Sequence, residues 1–388
     1  MLMTVNAARV TAVAVAAYVL ILLKQYGHDW LVGSNGELFA VDFIGVWAAG
    51  HLAGSGAPAA AYDPALHALA HTAGLGHASA EHYPFPYPPF HLALAAALAT
   101  FAYVPAFATW VAVSLTAYLW AAAGIVGSPR GALYMAACPA VLTNVYIGQN
   151  GLWSAALLGF GLVELERRPI LAGVFLGLLA YKPQIAMLVP VALIAGGCWR
   201  ALAAAALTVA ALVIASLAYH GLATWQAFAA QLGAVGGLIA QTNLDVGKLQ
   251  TLYGALRALG MPPQAALAAQ IAAAAAAVAA TFVIWRRPSP FALKAAGLAA
   301  ATLMVSPYLF VYDLAVLMVA QAFLIRYAQD AGYDEFDLRG IVAANIAVAA
   351  VAFTSQPFGL AATLILAVVV WRRMALGRPA GLSIPSPA

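Results

Sequence analysis

Charge is what this sequence has least of. Charged residues fill 8% of its 388 positions and hydrophobic ones 65%, whereas a water-soluble domain keeps roughly 25% charged residues to hydrate its surface. With a mean hydropathy of +0.91, a soluble globular chain is excluded. The 17 Lys and Arg stand singly or in pairs. No basic stripe interleaved with aromatics exists, so the net charge of +4 is no footprint for nucleic acid, and no such partner is expected. Cysteine is nearly missing too. Cys138 and Cys198 lie in apolar runs and make neither a metal spacing nor a disulfide framework. There is no glycine-rich phosphate loop behind a strand and no internal repeat of the transporter kind. Nor does a small-x-small cleavage site follow the first apolar run, where Tyr26-Gly27-His28-Asp29-Trp30 stands instead. That last absence predicts an uncleaved first helix.

What is present is a series of hydrophobic runs, near 10–23, 88–126, 131–147, 150–165, 169–181, 183–198, 201–218, 265–285, 291–306, 309–326, 339–354 and 357–371. In lipid only helices satisfy the backbone of such Ala/Leu-rich segments. The expectation is an all-α integral membrane protein, a polytopic bundle of about twelve transmembrane helices. It forms one domain over 1–376, followed by a disordered cytoplasmic tail, 377–388. Some runs are short, notably 169–181 between Arg168 and Lys182, and suit helices beside a water-filled cavity. The run 88–126 is long for one helix. A single crossing leaves its first part, 88–103, in the interface or re-entrant.

Basic residues supply direction. With the N-terminus in the cytoplasm and alternating spans, thirteen of the 17 fall inside and only Lys24, Lys182, Lys248 and Arg257 outside. Both termini are then cytoplasmic, in a plasma (inner) membrane. Two large segments, 24–88 and 219–264, face outward. The first holds most of the eight histidines and the acids Asp29, Glu37, Asp42, Asp63 and Glu81. Its stretch from Asp42 to His51 reads as a short amphipathic helix along the membrane surface. Tyr62-Asp63-Pro64 starts a second, with Pro64 in its first turn. Tyr83-Pro-Phe-Pro-Tyr87-Pro-Pro89 makes a stiff extended connector.

Charged and polar groups near the outer face are costly in lipid and need a reason. Asp42, between Val41 and Phe43, suits either a general base that takes a proton from an attacking hydroxyl or a helix N-cap. Lys182, in Tyr181-Lys182-Pro183-Gln184, suits either an anionic phosphate partner or a snorkelling interfacial lysine. Gly148-Gln149-Asn150-Gly151 is a polar break, able to bond a sugar or phosphate or to form a tight turn. Asp313, in Ser306-Pro307-Tyr308-Leu-Phe-Val-Tyr312-Asp313, has no cation near it in sequence and is expected to face a cavity. Lys248 and Arg257 add positive charge in the second outer segment. His67 and His71 stand four apart, with His77 and His82 beyond, but no cysteine joins them and the spacings match no closed zinc pattern. No metal and no cofactor is expected.

Taken in order, Val41-Asp42-Phe43, Trp47-Ala-Ala-Gly50, Ala61-Tyr62-Asp63-Pro64, Tyr87-Pro88-Pro89-Phe90, Gly148-Gln149-Asn150, Leu171-Ala172-Gly173, Lys182-Pro183-Gln184 and Ser306-Pro307-Tyr308 form a series. It resembles the GT-C class of membrane glycosyltransferases, and most closely glycosyltransferase family 87, the polyprenyl-phosphate-mannose-dependent alpha-mannosyltransferase type, over about residues 40 to 320. The resemblance implies a GT-C-like helical bundle. It implies transfer of a hexose, mannose in that family, from a polyprenyl-phosphate-sugar to a lipid- or glycan-linked acceptor, with inversion and without metal, at the non-cytoplasmic face. By that analogy Asp42 is the base, and Lys182 with Gln149 holds the leaving lipid phosphate. Asp63, Tyr87, Asn150, Gln184, Lys248, Tyr308, Tyr312 and Asp313 are the further candidates for substrate contact. One departure stands out. Where relatives carry a histidine after the Ser-Pro pair, this chain has Tyr312-Asp313, leaving the third phosphate contact open. Two other classes fit a many-helix chain with large outer loops: a secondary transporter using Asp313 and Lys182, and an O-antigen polymerase or ligase.

Overall fold

The computed structural model describes residues 30–79, 81–240, 248–354 and 356–376, with residues 16, 19, 20 and 23 of the first apolar run. The remainder of the 10–23 run and the 377–388 tail lie outside the described residues.

Among the described residues the chain is helical, and its one extended pairing is an isolated bridge between Val32 and Leu38. In chain order the α-helices are α1 (Phe43–Gly54), α2 (Pro64–Leu75), α3 (Leu92–Leu98), α4 (Tyr103–Val126), α5 (Pro129–Ala136), α6 (Pro139–Ile147), α7 (Gly151–Glu164), α8 (Pro169–Leu178), α9 (Pro183–Ala186), α10 (Leu188–Ala195), α11 (Trp199–His220), α12 (Leu222–Ala240), α13 (Leu252–Ala258), α14 (Pro263–Arg286), α15 (Phe291–Thr302), α16 (Val316–Ala331), α17 (Glu335–Val351) and α18 (Phe358–Leu376). Proline sets many of the boundaries. Pro64, Pro139, Pro169, Pro183 and Pro263 each open a helix, where their missing N–H costs nothing and their φ is already helical. Pro139 accordingly cuts the 131–147 run into α5 and α6.

Among the described residues, five helices are long and apolar enough to cross a membrane: α4, α11, α14, the segment Val311–Ala331 that ends in α16, and α18. The other apolar runs form shorter helices. α11 exposes Leu207 and Ile214, and α14 exposes Ile271, each at least 60% open. Large apolar groups in that number are at home only against lipid. α16 is the opposite case, since every residue from Val316 to Leu324 is buried. A helix apolar on all sides belongs in the middle of a bundle. Around it α4, α7, α8, α10, α15 and α18 supply the main core.

The α8–α11 contact shows how such helices associate. A Cβ on Gly173 would stand 2.3 Å from the Ala201 carbonyl oxygen, and one on Gly177 would stand 2.7 Å from that of Ala205. This small-x-x-x-small face lets two backbones touch, which is the main attraction available where burial from water offers none.

One expectation changes here, and two regions gain definition. The 43–54 helix does not lie along a surface: Phe43 through Gly50 are all buried. Its sequence is apolar on every face, and protein encloses it, with Gly50 facing the Ala95 carbonyl so closely that a Cβ would stand 2.0 Å away. The 88–126 run divides at Thr100-Phe101-Ala102 into a 3-10 turn, Pro89–His91, the short α3 and the long α4. The 219–264 segment is largely helical, in α12 and α13. Near its start α12 lies on the segment that leads into α3, with Phe228 against Tyr62 at 5.5 Å between ring centroids and Trp225 near Phe90 at 6.4 Å.

Candidate active site

The site is assembled around the turn from α6 to α7. α6 ends at Gly148 in the left-handed conformation, φ +68°, which only glycine adopts without strain. Any side chain there would also collide with Phe43 and Phe107, both 2.7 Å from its Cβ position. The turn therefore presents Gln149 and Asn150 in succession, toward two different partners.

Gln149 reaches Asp42. Its Nε2 donates to Asp42 Oδ2 at 2.8 Å, while the Tyr87 hydroxyl donates to its Oε1 at 3.4 Å. Asp42 stands at the N-cap position of α1 but makes no side-chain cap, so the capping reading of this residue fails. Capping falls to Asp63 instead, whose Oδ1 accepts from the N–H groups of Ala65 and Leu66, both at 2.9 Å. Asp63 is exposed and its carboxylate is engaged in holding α2. The half-buried Asp42 carboxyl is pushed above its ordinary value by burial; the Gln149 hydrogen bond and the Lys248 charge partly oppose this. A carboxylate so raised, and still partly open, has the character of a proton acceptor.

Asn150 reaches Lys182. The Lys182 ammonium donates to Asn150 Oδ1 at 2.7 Å and forms an ion pair with Asp313. These two charged side chains are 3% and 1% exposed, so the cation does not snorkel and the carboxylate does not stand alone. The second Asp313 oxygen accepts from the Phe310 N–H at 3.0 Å. Lys182 Nζ also sits 4.8 Å from the centre of the Tyr312 ring, within cation–π range. Asn144 fastens the two halves, donating to the Tyr312 carbonyl and accepting from the Gly151 N–H.

The cluster thus joins Asp42, Gln149, Asn150, Tyr87, Lys182, Tyr312 and Asp313. Tyr308 lies close enough for the charges of Asp313 and Asp42 to act on it, and the exposed Lys248 acts on Asp42. Gln184 is half-buried and makes none of the cluster's hydrogen bonds. Three members were missed in the sequence. Tyr181 donates to the Asn150 carbonyl at 3.0 Å and shares a 2.7 Å hydrogen bond with Ser154. His91 stacks on Tyr181 with centroids 5.2 Å apart. Asn144 is the third. A polar group inside an apolar run was the available signal for each of them.

A second group of polar side chains stands apart from this cluster. His67, His71 and His82 have ligand atoms within 4.8 Å of one another. Their spacing looked unlike a metal motif because His82 comes from the segment between α2 and the extended connector, not from the helix that carries the other two.

No curated protein matches the chain, and no solved structure matches it either. Residues 85–307, more than half of the chain, match the family model for glycosyltransferase family 87, with Gln149, Asn150 and Lys182 inside the match and Asp42 and Asp313 joined to it from either side; the protein belongs to that family.

Proposed function

We propose that this glycosyltransferase moves a hexose, mannose in the first instance, from a polyprenyl-phosphate donor to a lipid- or glycan-linked acceptor, with inversion. The observation that carries the reading is one polar cluster holding a half-open carboxylate, Asp42, and a buried cation, Lys182, on the neighbouring residues Gln149 and Asn150. In the proposed step an acceptor hydroxyl oxygen attacks the anomeric carbon on the face opposite the phosphate. Its proton passes to Asp42, the bond from anomeric carbon to phosphate oxygen breaks, and polyprenyl phosphate leaves with the electron pair. One displacement inverts the anomeric centre. The negative charge that grows on the leaving phosphate meets Lys182, in the low-dielectric setting where a fixed cation counts most. Asp313 pairs with that cation and keeps it aimed while no phosphate is bound. No metal takes part in this step.

For the architecture we propose a GT-C-like bundle of about twelve spans in one domain, with both termini cytoplasmic and the cluster at the outer face of the plasma membrane. α16 supports this sidedness. Asp313 precedes its first turn, and its far end carries the Arg326–Asp330 pair, with Arg372–Asp334 and Arg373–Asp337 beyond. A 16-residue helix separates the two groups by about 24 Å. Three of the basic residues assigned to the cytoplasm, Arg326, Arg372 and Arg373, stand at the end remote from the site.

The test is a donor screen in proteoliposomes with several polyprenyl-phosphate sugars. Transfer from the mannose donor that disappears in Asp42→Asn supports the reading; full activity in that variant overturns the base assignment. The buried Lys182–Asp313 pair is also what an ion-coupled transporter would carry, and solute flux without any transfer in the same vesicles would favour that class.

A further inference from the structure

We propose that His67, His71 and His82 hold one divalent transition-metal ion of the zinc class, and that this ion ties α1, with Asp42 at its start, to α2 and to the segment that follows it. The first observation is the geometry. The three imidazole centroids form a nearly equilateral triangle with sides of 5.1, 5.4 and 5.6 Å. His67 Nδ1 and His82 Nε2 are 3.2 Å apart, close to the spacing of about 3.3 Å that two nitrogens adopt on a tetrahedral zinc with bonds of about 2.0–2.1 Å.

The second observation is independent of the triangle. His71 is fully buried, and neither of its ring nitrogens has a hydrogen-bond partner in the protein. The carbonyls of Glu81 and Tyr83 bias its charge without meeting hydrogen-bond geometry. A buried imidazole with an unused lone pair is costly, and a metal ion is a partner suited to a ring nitrogen that lies within 4.8 Å of ligand atoms on two other imidazoles.

The third is the outer shell. His67 Nε2 lies 2.9 Å from the Gly45 carbonyl oxygen. With its proton there, His67 must present Nδ1 as a lone pair toward His82. Metal-bound histidines habitually give their other N–H to a backbone carbonyl, which fixes the tautomer and the ring plane. Gly45 belongs to α1, and a Cβ there would stand 2.5 Å from the Tyr83 carbonyl oxygen, so helix and connector are already in backbone contact. His82 is exposed and gives the ion its way in and a fourth position for water.

The experiment uses the full chain in detergent, purified through a tag without histidine, stripped with chelator and titrated with Co2+. The expected result is one Co2+ per chain with visible d–d absorption, displaced by Zn2+, and a rise in melting temperature with Zn2+. His82→Ala, at an exposed position that does not load the core, should weaken binding by ~100-fold and abolish the Zn2+-dependent rise. His77→Ala should leave both unchanged. No stoichiometric Co2+, or a His82→Ala protein that binds as the unaltered chain does, overturns the proposal. Neither outcome bears on Asp42 as the base, which the donor screen decides separately.

Discussion

Replacing Lys182 with Met separates two things the residue does. The ammonium and the Asp313 carboxylate are 3% and 1% exposed, so removing one leaves the other without its charge partner and nearly without water. Breaking such a buried pair from one side costs about 3–5 kcal/mol, whereas exchanging both members for apolar side chains of similar size is near neutral or stabilising. Lys182→Met should therefore lower the thermal midpoint in detergent by several degrees. The double variant Lys182→Met with Asp313→Leu should recover to within about 1 kcal/mol of the unaltered protein. Activity should not recover with it. If Lys182 holds the leaving phosphate, its loss removes about 2.7–4 kcal/mol of transition-state stabilisation, on the order of 10²–10³ in kcat. The assays are fluorescence-detected size exclusion after heating and sugar transfer in proteoliposomes, run on the same preparations. A double variant that is both stable and active refutes the phosphate role. A single Lys182→Met as stable as the unaltered chain refutes the claim that the pair is buried and mutually compensating.

Other expectations follow from the same geometry. Asp42 must be ionised to accept a proton, and burial raises its carboxyl above the ordinary value, so kcat/KM should fall as pH drops through that raised value. The Lys248 charge favours the ionised form. Lys248→Ala should move the acid limb to higher pH, and an unmoved or lowered limb would mean that the limb belongs to another group. Asp63→Ala should cost about 0.5–2 kcal/mol through the lost cap on α2, while kcat stays close to its original value. A collapse of kcat with stability intact would return Asp63 to the site. Gly177→Val puts side-chain carbons into the α11 backbone at a point where even a Cβ would stand 2.7 Å from an oxygen. Overpacking of this kind costs about 1–3 kcal/mol, readable as a lower thermal midpoint, and an unchanged midpoint would contradict the close α8–α11 approach.

Much of this molecule was legible before any coordinates. Hydropathy announces helices in lipid because an unpaired backbone group has no partner there, and that rule needs no tertiary information. Prolines at 139, 169 and 183 mark helix starts for the equally local reason that their rings preset φ and lack an N–H. Asp42, Gln149, Lys182 and Asp313 were each visible as polar groups in apolar surroundings. Their arrangement was not. Gln149 and Asp42 lie 107 residues apart, and no period along the chain says that one bends to the other. Two aspartates at the starts of two helices looked alike in sequence, yet Asp63 caps and Asp42 does not, because Asp63 has the extended backbone a cap needs (φ −89°, ψ 119°) while Asp42 is already helical (φ −49°, ψ −29°), its carboxylate turned to Gln149 instead. The Asp42–His51 segment looked amphipathic until α2 and α3 were seen around it. Asp313, with no cation near it in sequence, was expected to face a cavity, but it is buried against Lys182 instead, and His82 matched no zinc spacing with His67 and His71 until the chain after α2 was seen to bring it beside them. Helix character depends on a few neighbouring residues and the solvent around them. Which side chains share a site depends on how closely the helices approach, and that is set by packing surfaces such as the Gly173–Gly177 face.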